Sequence, residues 1–239
     1  MEEITILIPS FNRRKFLPLI IKNLKIQDYP HNLLSVIIDD DGEEKLITSD
    51  AELKLIKEHL APMKLTYINN KPWRTIGKKR NDMVKSAYTK IVAFMDSDDI
   101  YFPSYISHSY EELKKVSKKG RGCVGSDQMT FINTKSDNYD IYALDCGGQK
   151  IQLHEATLVF TKKWFNASCK FCTKGTGEGK NLIRDNENNV GFTEIMRVMT
   201  CLCHDQNTIP KDRWLEDKRK LNINVTDELK NILNKIFEK

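Results

Sequence analysis

No apolar run in this sequence approaches the roughly 20 residues that a bilayer-spanning helix requires, so no transmembrane segment is expected. The opening Met1-Glu2-Glu3 leads at once into a strand-like run and lacks the layout of a secretory signal, so a cytoplasmic site of action is the expectation. A strong charge of one sign is also missing: 38 basic residues face 33 acidic ones, a formal net charge of +5. The lysines lie among acids on helix-like faces, not in the basic stripe of a nucleic-acid binder, so nucleic acid is not the expected partner. Internal repeats and linker-like stretches are absent, which points to one domain. The first strand is not followed by a glycine-rich phosphate loop, for Pro9-Ser10-Phe11-Asn12 stands there instead. That disfavours a sugar-phosphate nucleotidyltransferase.

Without a secretory signal, the six cysteines are expected to be thiols, not a disulfide framework. Cys169-x-x-Cys172 and Cys201-x-Cys203, with His204 adjacent, leave open a second reading: a non-catalytic module held together by zinc. The distance between the pairs is unlike that of common zinc fingers.

What the sequence does contain is an alternation. Ile4–Ile8, Leu34–Ile38, Leu65–Ile68 and Ile91–Met95 are short β-branched runs. Between them lie a helical stretch carrying Phe16, Leu17, Ile20, Ile21 and Leu24 on one face, a second over 43–60 and a third over 77–88. Such alternation predicts a mainly parallel sheet with crossover helices. Beyond Asp99 the rhythm changes: a helix over 103–118, shorter strands within 121–133, 139–144 and 156–160, a loop-like stretch over 173–191 and a helix over 192–199. A final helix begins at the N-cap Thr226.

Ligands of open α/β sheets bind beyond the carboxyl ends of the strands, and the acids are concentrated there. Asp39-Asp40-Asp41 follows the second strand and Asp96-Ser97-Asp98-Asp99 the fourth. Carboxylates crowded at strand ends are costly unless a cation compensates them. Paired oxygen donors suit Mg²⁺ or Mn²⁺, with diphosphate oxygens completing the shell.

Four strings in register then resemble the family 2 glycosyltransferases of GT-A fold. They are Ile6-Leu7-Ile8-Pro9-Ser10-Phe11-Asn12-Arg13, Val36-Ile37-Ile38-Asp39-Asp40-Asp41-Gly42, Gly77-Lys78-Lys79-Arg80-Asn81 and Ala93-Phe94-Met95-Asp96-Ser97-Asp98-Asp99. The resemblance implies a Rossmann-like, mainly parallel sheet flanked by helices, with a smaller mixed-sheet half. Residues 1–100 would bind the nucleotide sugar; residues 101–239 would bind the acceptor and carry the C-terminal helix. It implies a nucleotide pocket of Pro9, Ser10, Phe11, Asn12, Asp40 (or Asp39, since three acids stand where the family shows two), Lys78, Arg80, Asn81, Asp96 and Ser97. Asp96 and Asp98 would ligate the metal, joined by His204 in His204-Asp205-Gln206-Asn207-Thr208. The general base would be Glu178 in Gly175-Thr176-Gly177-Glu178-Gly179, with Glu155 as alternative. The implied reaction moves a sugar, with inversion, from a nucleotide diphosphate donor, UDP-linked by preference, to a hydroxyl of a glycan or other acceptor. Peripheral contact with a membrane surface is left open.

Overall fold

The structure, a computed structural model, describes every residue except 70–71, 146–151, 175–176, 180, 185, 206, 208–214, 216–219, 222–224 and 239, and of residue 188 only the backbone. The first half builds the parallel sheet. β1 (Ile4–Ser10) pairs in parallel with β2 (Leu34–Asp40) on one side and β4 (Ile91–Phe94) on the other, and β2 pairs with β3 (Lys64–Ile68). All seven residues of β1 and of β2 are buried, as befits parallel strands covered on both faces. Crossovers run through α1 (Leu17–Lys25), α2 (Asp50–Leu60) and α3 (Ile76–Ser86).

Register carries the functional strings to one edge. Ile4 aligns with Leu34 and Ile91, so Ser10 lies beside Asp40 while β4 ends three residues sooner, at Phe94 opposite Leu7. Met95 extends the ladder by donating to the Leu7 carbonyl at 3.0 Å. Asp96–Asp98, Asp39–Asp41 and residues 10–13 therefore emerge from the same rim.

α2 starts at Asp50, capped by Ser49, which accepts the Glu52 N–H at 3.1 Å. The expected start at 43 is too early for a physical reason. The Asp40 carboxylate accepts the N–H groups of Gly42 at 3.3 Å and Leu46 at 2.6 Å. Those amides are turned inward, and Leu46 and Ile47 are buried in a loop.

After β5 (Ile100–Tyr101) and α4 (Tyr105–Val116), the run 121–133 divides between sheets. β6 (Cys123–Gly125) joins the first sheet, whose order is β10-β6-β9-β4-β1-β2-β3, with β9 (Val159–Thr161) and β10 (Val190–Phe192). β7 (Gln128–Asn133) pairs with β8 (Ile141–Asp145) and β11 (Met199–Cys203) in a second sheet, order β12-β8-β7-β11-β5, where β12 is Lys220–Leu221. Of the expected strand 156–160 only 159–160 falls in β9, because residues 155–157 close a 3-10 turn. Likewise β10 and β11 claim the flanks of the expected helix 192–199, leaving α6 (Ile195–Val198) after the short α5 (Lys162–Ala167). The C-terminal α7 (Asp227–Phe237), capped by Thr226, packs Leu233 and Ile236 with Phe16, Leu19, Ile132 and Leu202. Among the described residues, no helix is long and apolar enough to cross a membrane.

Candidate active site

The rim holds two charge assemblies. The first lies at the end of β2. Arg74 donates through Nη2 to Asp39, and its backbone N–H reaches Asp41 Oδ2 at 2.9 Å. Lys79 bonds the other oxygen of Asp41 and the Ser10 carbonyl, the latter at 2.6 Å. Burial lowers the Lys79 amine below its ordinary range, against the pull of Asp41. Asp40, beside these, spends its carboxylate on Gly42, Leu46 and the Tyr67 hydroxyl, the last at 2.7 Å. Asn12 has a positive φ of 54° and accepts the Glu44 N–H through Oδ1 at 3.0 Å, tying the β1 loop to the β2 loop. Gly42 is required there, since a Cβ would collide with Asn12. Phe11 is 42% exposed at this rim, an open ring beside the strand end. Pro9 lies opposite Asp39 in the ladder.

The second assembly surrounds Arg80, whose guanidinium lies against an edge-to-face pair of rings, 4.8 Å from the centroid of Phe94 and 5.9 Å from that of Phe171. Its Nη2 contacts both oxygens of Asp96, at 2.9 and 3.2 Å, and its Nε lies 3.4 Å from Glu178 Oε1. Burial opposes the Arg80 charge, but Asp96, Glu178 and Glu155 outweigh it and raise its pKa. Burial in turn raises Asp96, with Asp98 adding to the rise and Arg80 opposing it. Both candidate bases thus come to one place. Glu155 accepts the N–H of Gly179, the neighbour of Glu178, at 3.1 Å, and its carboxyl is raised first by burial and then by the Glu178 charge.

Asp98, near enough to add to the Asp96 shift, has other partners. Its Oδ2 receives Arg13 Nε at 3.1 Å and lies 3.1 Å from His204 Nε2. Asn207 holds His204 through a 2.8 Å bond to its backbone N–H, and the imidazole is flanked by Phe16 and Phe237 at 5.0 and 5.9 Å. Asp99 is structural, bonding the Leu202 N–H at 2.9 Å. Ser97 is buried. Lys78 stands on the outer face of α3, 3.6 Å from Asp82, with a half-exposed side chain. Asn81 bonds the backbone of Phe171.

Among the described residues, no group of three or more His, Cys, Asp or Glu side chains is arranged to hold a metal ion. Cys201 and Cys203 lie in the apolar core with Met199 and Phe131, while Cys169 is exposed. Cys146, Gly175, Thr176, Gln206 and Thr208 fall outside the described residues. Asp98 and His204 bring together a carboxylate oxygen and an imidazole nitrogen, donor types that divalent ions accept, and stand as a hydrogen-bonded pair 3.1 Å apart.

The sequence reading missed Arg13, Asp41, Arg74 and Lys79. A signal for Lys79 existed: it stands four residues before the buried Met83, as Arg80 does before the buried Val84, so both cations share the core-facing side of α3. Arg74 had no such pattern, lying in a loop.

Solved structures share this architecture. The mannosyltransferase PcManGT from Pyrobaculum calidifontis, in complex with GDP-Man and Mn²⁺, superposes with a TM-score of 0.61 at 14% identity, covering 85% of this chain and 58% of that one. S. aureus TarS 1–349 in complex with UDP-GlcNAc gives 0.59 at 13% identity, covering 98% and 65%. The fold is that of the GT-A glycosyltransferases. Within that class the chain belongs to glycosyl transferase family 2, which it matches over residues 5–162. It is also 25% identical over 141 residues to the poly(ribitol-phosphate) beta-N-acetylglucosaminyltransferase TarS of Staphylococcus aureus strain Mu50, across 56% of this chain. The chain spans about a quarter of the length of the curated relatives it matches, 24%.

Proposed function

We propose that this domain transfers a sugar from a nucleotide diphosphate donor, a UDP-sugar by preference, to a hydroxyl of a glycan acceptor, with inversion and with Mn²⁺ or Mg²⁺. The observation that carries this reading is the meeting of Asp96, Glu178 and Glu155 around one buried arginine, with Asp98 and His204 at the same rim. The complexes of relatives with UDP-GlcNAc and with GDP-Man and Mn²⁺ support the donor class and the metal.

The nucleotide would lie against Pro9, Ser10, Phe11 and Asn12, with Asp39 or Asp40 toward the base and Lys78 within reach of the diphosphate. Asp39 would exchange its Arg74 contact for the base, whereas the three bonds of Asp40 fix it in its loop. The divalent ion would be held by Asp98, His204 and Asp96, and would supply positive charge to offset the negative charge that develops on the departing diphosphate. Arg80 holds Asp96 and Glu178 in fixed relation, with the rings of Phe94 and Phe171 packed beside its guanidinium. Glu178 takes the proton of the acceptor hydroxyl as that oxygen attacks the anomeric carbon. A single base without a dedicated nucleophile yields inversion.

The test compares Glu178→Gln with Glu155→Gln under steady-state turnover and UDP titration. Glu178→Gln is expected to keep UDP affinity and lose about 10²–10⁴-fold in turnover. Loss in Glu155→Gln alone would transfer the base role to Glu155.

A further inference from the structure

The Arg-Asn pair on α3 divides its labour. Arg80 faces the carboxylates, but the side chain of Asn81 is turned to a different task. Its Nδ2 donates to the carbonyl of Phe171 at 2.9 Å, and its Oδ1 accepts the N–H of the same residue at 3.0 Å. A carboxamide is the one side-chain group that supplies a donor and an acceptor in the geometry of a peptide. Asn81 thus pairs with Phe171 as a neighbouring strand residue would.

Three further contacts secure the segment that begins there. Thr75 Oγ1 donates to the Thr173 carbonyl at 3.0 Å. The Cys172 N–H donates to the carbonyl of Glu178 at 2.8 Å, folding the segment back on itself. Gly77 lets it approach, since a Cβ there would collide with the Cys172 carbonyl oxygen and crowd Glu178. The far end is fastened by the Gly179 N–H on Glu155. The contacts made at positions 75, 77 and 81 thus all land on the loop that carries Glu178.

We infer that Asn81 is a positioning residue for the Glu178 loop, holding it on α3 through a two-bond pair with the Phe171 backbone, and not a contact to the nucleotide. The catalytic consequence rests on the assignment of Glu178 as base; the docking itself does not. The same pair keeps the Phe171 ring under the Arg80 guanidinium, so one side chain sets both the base and its charged partner.

The experiment uses the full chain as Asn81→Ala, with three readouts. Amide hydrogen exchange at Phe171 and Cys172 is expected to quicken by about tenfold, the effect of one lost hydrogen-bonding partner, while the β1 and β2 amides keep their protection. UDP affinity in Mn²⁺ is expected within about twofold of wild type. Turnover is expected to fall about 100-fold, the effect of misplacing a reacting group by about 1 Å. Unchanged exchange at Phe171 with UDP affinity weakened about tenfold would overturn the inference and make Asn81 a nucleotide contact. Should Asn81→Ala fail to fold, Asn81→Asp, which keeps the acceptor but loses the Nδ2 donor to the Phe171 carbonyl, carries the same test: faster loop exchange with intact UDP affinity supports the docking, and unaltered loop exchange with weakened UDP affinity overturns it. Wild-type turnover in Glu178→Gln would remove the base assignment while leaving the exchange result standing.

Discussion

At the rim, the acids that end β2 find their cations within a short stretch of chain, whereas Glu178 and His204, from the second half, reach back to the first hundred residues for Arg80 and Asp98. Asp39, Asp41, Arg74 and Lys79 all lie between β2 and α3 and close a buried network of two carboxylates and two cations. Glu178 finds Arg80, and His204 finds Asp98 while resting on Phe16. The difference separates two ways of building a site. The first set is gathered by the end of β2 and the loop and helix that follow β3, whereas the second set is placed only when a loop and a second sheet fold onto that rim.

The comparison is broken most sharply at Arg74. Its side chain is 7% exposed and its partners Asp39 and Asp41 are 1% and 0% exposed. Arg74→Ala leaves both carboxylates buried with one cation fewer. It is expected to destabilise the fold by about 3–5 kcal/mol in urea unfolding. A loss below about 1 kcal/mol, the range of an exposed pair, would show that the network is not the closed unit described.

A smaller effect sharpens the other side. Burial and the neighbouring Glu178 hold the Glu155 carboxyl above its usual 4.5. As pH rises past 4.5, the unfolded chain releases this proton before the folded one does, so folding loses stability until the folded group also ionises. Glu155→Gln removes that term while keeping an acceptor for Gly179. The stability of Glu155→Gln relative to wild type should therefore increase between pH 4 and pH 7, measured by urea unfolding across about that range. A constant difference would mean that Glu155 is no more buried in charge terms than a surface acid.

The legibility of the sequence follows the same division. β1, β2 and β4 were readable because parallel strands buried on both faces are continuous apolar runs, and the acids after β2 and β4 were readable because a strand end is a defined place. The loop over 43–49 was not, since Leu46 and Ile47 mimic a helical period while their amides go to Asp40 and Tyr67. The pairing of Glu155 with the Glu178 turn depends on a contact 24 residues apart in sequence, which no local pattern encodes. Asn81 is the instructive case: its string was readable, but the direction of its side chain depends on where residue 171 folds.

The account turns on whether Asp98 and His204 couple metal to donor. Calorimetric titration of UDP into wild type and Asp98→Ala, each with Mn²⁺ and with chelator, tests it directly. Wild type should bind UDP at least about tenfold more tightly with Mn²⁺ than without, and Asp98→Ala should show no such gain. Equal UDP affinity under all four conditions would contradict the metal-coupled donor site.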